Sequence, residues 1–218
     1  MISSKIQPMN KPKASPLLFL LGVIAIIAIA TFFGPEDKAL GANVRIVYLH
    51  GAWVLTAEIA FVAAALAGAL GLLAHFMPAL KTREGLFQRW SEALGRTGVV
   101  FWVTYLPLSL VAMQSNWNGL FLAEPRFRLA LTFAVVGVLL QLGLWIIANN
   151  LLTSAANIAY IIVLRIVFAS AANIMHPPPS PIFNSGNFAI IGFFVGLNLL
   201  AWLAAYFLAR WFLSLSSK

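Results

Sequence analysis

The fold class predicted by this sequence is all-α: a polytopic membrane bundle of six transmembrane helices with both termini cytoplasmic. Three observations predict it. Of the 218 residues, 61% are hydrophobic and 9% are charged, with a mean hydropathy of +0.92; soluble domains carry about a quarter charged residues. Apolar stretches near the ~20 residues needed to cross a bilayer recur six times along the chain. The lysines and arginines gather in alternate connecting segments.

The same composition excludes other classes. No cysteine is present, which removes disulfides, thiolate metal sites and thiol redox chemistry. The net charge of +8 is thinly spread and has no soluble domain to present it, so basic loops against anionic lipid explain it without a nucleic acid.

Residues 1–218 read as a single transmembrane domain. The first span, 16–33, follows a polar start with Lys5, Lys11 and Lys13, and reads as an uncleaved anchor because five more spans follow. The second, 45–75, is long enough to tilt or protrude. The third, 98–113, contains Pro107, a kink site. The fourth and fifth, 127–148 and 151–175, are separated by Asn149 and Asn150 alone, which demands a tight hairpin, and the sixth covers 188–212. Between the second and third spans, residues 80–94 place Leu86, Phe87, Trp90 and Leu94 on one helical face, the pattern of an amphipathic helix lying in the interface.

The N-terminus, residues 77–97 and the C-terminus hold Lys5, Lys11, Lys13, Lys81, Arg83, Arg89, Arg96, Arg210 and Lys218. The opposite loops hold Lys38, Arg45, Arg126 and Arg128. The positive-inside rule then puts both termini in the cytoplasm.

This topology sorts the three histidines. His50 and His75 stand at opposite ends of the second span, about 37 Å apart along a helix, and cannot share a ligand. His176 ends the fifth span on the same outer side as His50, before Pro177, Pro178 and Pro179. Two imidazoles at one depth can ligate a haem iron axially; equally, histidines occupy membrane interfaces with no ligand.

Local sequence adds to this. Arg45-Ile-Val-Tyr-Leu-His50 followed by Gly-Ala-Trp53, and Asn173-Ile-Met-His176-Pro, resemble the two outer histidine segments of the CcmC/CcsA cytochrome c assembly family, and of CcmC in particular. The resemblance covers roughly residues 45–212. It departs in the outer loop between the third and fourth spans. There the family carries WGxWWxWDxRLT, and this chain has Trp117 at the first tryptophan, Glu124 at the aspartate and Arg126 at the arginine, with Leu120, Phe121 and Ala123 in place of the middle tryptophans.

The resemblance implies non-covalent haem b with His50 and His176 as axial ligands of its iron. Trp53, Trp117, Leu120 and Phe121 would line an apolar cleft, and Arg45, Arg126 and Arg128 would face the propionates or, alternatively, lipid phosphate. It implies haem capture and delivery during cytochrome c maturation, not catalysis, in a bacterial inner (plasma) membrane or an organellar inner membrane. The implied partners are an ABC-type haem export module, a small single-span subunit and a haem chaperone, besides membrane lipids.

Two charges fall inside the apolar spans. Glu58 lies about 12 Å inward from His50 and Arg165 about 16 Å inward from His176. Intramembrane charges are costly and are usually paired, so the two are expected to form a buried ion pair, or to meet through water, between the second and fifth spans. Phosphate-binding glycine loops, HExxH, Ser/His/Asp arrangements and carboxylate clusters are missing from the sequence. Two further readings stay open: an accessory membrane subunit of a respiratory or photosynthetic complex, with one bis-histidine haem or none, and a small-molecule transporter built on Glu58 and Arg165.

Overall fold

The computed structural model describes residues 15–172 and 182–215. Six α-helices follow one another: α1 (Pro16–Phe32), α2 (Val44–Phe76), α3 (Glu84–Trp117), α4 (Pro125–Ile147), α5 (Asn150–Ala169) and α6 (Phe188–Leu215). Helices α2 to α6 are long and apolar enough to cross a membrane. α1 is also apolar but has 17 residues, about 26 Å of helix against roughly 30 Å of hydrocarbon. The chain is thus a multi-pass helical membrane protein.

Helix boundaries follow local chemistry. Ser15 Oγ accepts from the Leu17 amide, Glu124 Oε2 from Phe127 (2.6 Å), Asn149 Oδ1 from Leu152 and Asn187 Oδ1 from Ala189, each satisfying an amide that a helix start leaves unpaired. Pro16 and Pro125 occupy first-turn positions, where no amide proton is needed. The Asn149–Asn150 hairpin forms, and Ala148 closes α4 in the left-handed region at φ 52°.

α2 is the central element. It packs along α3 most extensively and also against α5 and α6; α1 covers α6, and α4 leans on α3 and α5. Small residues let these helices approach closely. A Cβ placed on Gly98 would come within 2.5 Å of the Phe61 ring, and one on Gly68 within 2.9 Å of the Ser154 carbonyl oxygen. Tryptophan and tyrosine add cross-links: buried Trp102 on α3 donates its indole N–H to the Ala130 carbonyl of α4 (3.0 Å), and Tyr160 on α5 donates to the Phe133 carbonyl (2.7 Å).

Three boundaries differ from the sequence reading. The interfacial segment 80–94 and the span 98–113 form no separate elements: Pro78–Arg83 is a short 3-10 turn, and a single helix runs from Glu84 to Trp117. No breaker stands between Glu84 and Pro107, and Gly95 and Gly98 are held helical by the packing against them. The face that turns inward is Gln88, Ser91 and Gly95, while Leu86 is exposed and Trp90 stacks on Tyr206 of α6 at 6.4 Å. The third difference is that α5 ends at Ala169 rather than at residue 175.

Candidate functional site

The connections α1–α2 and α3–α4 meet at one end of the bundle. Asn43, just before α2, donates to the Ser115 carbonyl near the end of α3 (2.8 Å), which fixes the relative height of the two helices. His50 lies seven residues deeper along α2, about 10 Å below that level. Its half-buried imidazole lies against the ring of Tyr105 on α3, with centroids 5.5 Å apart. Tyr105 was not singled out from sequence, since an aromatic on a long apolar stretch carries no signal of its own.

One turn below, Trp53 donates its indole N–H to Thr104 Oγ1 at 3.1 Å, and its ring packs on Phe101 at 5.1 Å. The α2–α3 contact therefore already occupies much of this tryptophan. Arg45 is similarly engaged: Nε donates to the Gly34 carbonyl (2.9 Å) and Nη2 meets Glu36 (3.1 Å), so the guanidinium clamps the α1–α2 connection onto α2.

The α3–α4 loop forms a lip. Asn118 takes a left-handed conformation (φ 51°) that ends α3, and Trp117 and Phe121 meet edge to face at 6.0 Å. Leu120, Phe121 and Leu122 are exposed. Glu124, standing where the family motif has aspartate, caps α4. Arg126 is half-buried and Arg128 exposed in the first turn of α4. Arg128 lines a shallow cleft of about 380 Å³ with Leu129, Thr132, Val167 and Ser170.

His176 lies outside the described residues. Ile182, six positions later in sequence, is buried in the core, and Phe183 packs on Phe194 at 5.7 Å. The Phe194 ring in turn approaches the backbone of Gly51, beside His50. Residues 182 and 183 thus lie close to the α2 turn that carries His50. At the other end of the bundle His75 contacts Glu84 (2.7 Å), which also holds Lys81 (2.7 Å). This cluster ties α2 to the start of α3 and is remote from His50.

Glu58 and Arg165 pair as the sequence reading expects, with Arg165 Nη1 donating to Glu58 Oε2 at 2.9 Å, but the expected burial is not found: the pair lies at the bundle surface, with the Arg165 side chain exposed. A polar cluster was missed: Asn157 accepts from Gln141 and donates to Ser91, joining α4, α5 and α3. Its signal was available as polar residues recurring inside otherwise apolar spans. Among the described residues no three His, Asp or Glu side chains gather as a metal ion would require. No family model, no curated protein and no solved structure matches the chain.

Proposed function

We propose that this protein binds haem b at the membrane face carrying His50 and passes it on during cytochrome c maturation, as a CcmC-like haem delivery protein. The observation that carries the reading is the position of His50. A half-buried imidazole stands against the Tyr105 ring, at the end of the bundle that also bears the Trp117–Phe121 lip and the arginines at the start of α4. A porphyrin brings its own equatorial ligands and asks the protein only for axial ones, so a single histidine from each of two segments suffices. Here those are His50 and His176.

In this reading haem is cargo. Its apolar ring rests near Tyr105 and the lip, with Trp53 supporting the wall from behind. Arg126 and Arg128 receive the propionates, while Arg45 holds the α1–α2 connection clear. His50 sits on the outer side, both termini are cytoplasmic, α1 is the sixth span, and the membrane is a bacterial inner membrane. An ABC-type export module, a small single-span subunit and a haem chaperone are the partners.

A second reading draws on Trp53 and Arg45, whose polar groups the fold itself already uses. Haem would then stay in place, or be absent, in an accessory subunit of a respiratory or photosynthetic complex. Haem-loaded protein mixed with an excess of haem-free globin separates the two. Delivery predicts that the haem moves to the globin within minutes and is retained when the lip is blunted by Phe121→Ala. Haem that stays with the wild-type chain contradicts delivery and favours the subunit.

A further inference from the structure

The Glu58–Arg165 pair lies on the surface of the bundle. The Arg165 side chain is 60% exposed and that of Glu58 23%. Around them the surface is apolar: Leu55, Ile59 and Val62 of α2 and Ile162 and Ile166 of α5 are all exposed. Glu58 has 14 residues of α2 before it and 18 after, so it stands near mid-helix. Arg165 is four residues, about 6 Å, short of the end of α5. An arginine so placed ordinarily extends its stem to the headgroups; this one is turned to Glu58 instead.

A charge pair facing acyl chains is unfavourable, and ionisable groups at this depth normally face protein or water. One contact joins the pair, Nη1 to Oε2. A guanidinium has five donors and a carboxylate two acceptor oxygens, so the pair can still give a hydrogen bond outward and still accept one. A partner carrying a lone acid or a lone base would satisfy one half and leave a net charge in the membrane.

We propose that a second copy of this chain covers this face around a two-fold axis. In such a self-complementary contact each Arg165 reaches the other copy's Glu58, and two acids and two bases close into a neutral cluster. Exposed Ala155 and Ala159 continue the same side of α5 as Ile162 and Ile166, and small residues permit close backbone approach.

The absence of native cysteine makes the test clean. Full-length Ile59→Cys and Ile162→Cys chains are oxidised in native membranes beside Leu139→Cys, a position on α4 that is 63% exposed. The expected result is a disulfide-linked product of twice 23.7 kDa from at least one of the first two, and none from Leu139→Cys. Adding Glu58→Gln to the cross-linking chain should lower the dimer yield severalfold. Monomer alone from both positions, equal dimer from Leu139→Cys, a product containing a different protein, or a yield indifferent to Glu58→Gln would each overturn the proposal.

Discussion

Asn157 on α5 reaches across to Ser91 on α3, its Nδ2 donating to the Ser91 carbonyl oxygen at 2.9 Å and to Oγ at 3.1 Å. Gln141 of α4 donates to its Oδ1 at 2.9 Å. The close fit depends on Gly95: a Cβ there would sit 2.7 Å from Asn157 Oδ1. In hydrocarbon these groups have no water to turn to, so the amide fixes the register of three helices at once.

Replacing Asn157 with Leu should therefore lower stability by about 1–2 kcal/mol. Gly95→Ala, which crowds the same amide, should cost roughly 1–3 kcal/mol. The double variant should lose less than the two separate losses combined, because both act on one contact. Unfolding in mixed detergent and SDS would show this; strictly additive losses would mean that the two residues act separately.

Two other glycines should respond with opposite signs. Gly98→Ala drives a methyl group into the Phe61 ring, which Trp102 and Tyr160 hold at 6.0 and 4.9 Å, and should cost roughly 1–3 kcal/mol. Gly143→Ala on α4 meets nothing within 4 Å and should be neutral or stabilise by up to about 1 kcal/mol, since alanine is the better helix former. The same unfolding assay reads both.

Trp53→Phe keeps an aromatic ring against Phe101 but removes the hydrogen bond to Thr104. The expected loss is about 1 kcal/mol of stability, with haem binding retained. Complete loss of haem with an intact fold would place Trp53 in direct contact with the ligand instead.

The α1–α2 connection should loosen in acid. Backbone amides of Ala39 and Leu40 donate to the Asp37 carboxylate at 2.8 and 3.1 Å, and hold its pKa below the ordinary aspartate value. A group whose pKa is lower in the folded state contributes fully above its unfolded pKa, and that contribution disappears as the pH falls through the folded one. The stability difference between wild type and Asp37→Ala should accordingly be present at neutral pH and vanish at low pH. A difference unchanged across that range would mean that the carboxylate's charge is irrelevant there.

Much of this architecture was legible in the sequence. Hydropathy located the helices, Asn149–Asn150 located the hairpin, and the depths of Glu58 and Arg165 brought the ion pair together. The start of α3 was misread because Leu86, Phe87, Trp90 and Leu94 form an apolar stripe, whereas packing in this bundle favours the small and polar face of Gln88, Ser91 and Gly95. Apolar side chains gain nothing by leaving lipid for protein, so amphipathic patterning loses its power to predict the buried side. At the candidate site, His50 and the Trp117–Phe121 lip fall at one end of the bundle, as expected from the spans. The commitments of Trp53 to Thr104 and of Arg45 to Glu36 could not be read, because each depends on which rotamer meets a neighbouring element.

Whether His50 and His176 hold haem is read most directly from a visible spectrum. Purified protein supplemented with haem is recorded oxidised and reduced, beside His50→Ala and His176→Ala. Haem held in this way should give a Soret band with sharp reduced α and β bands in the wild type, altered or lost in both variants. Haem-supplemented protein without such bands, or variants that bind haem as the wild type does, would contradict this ligation.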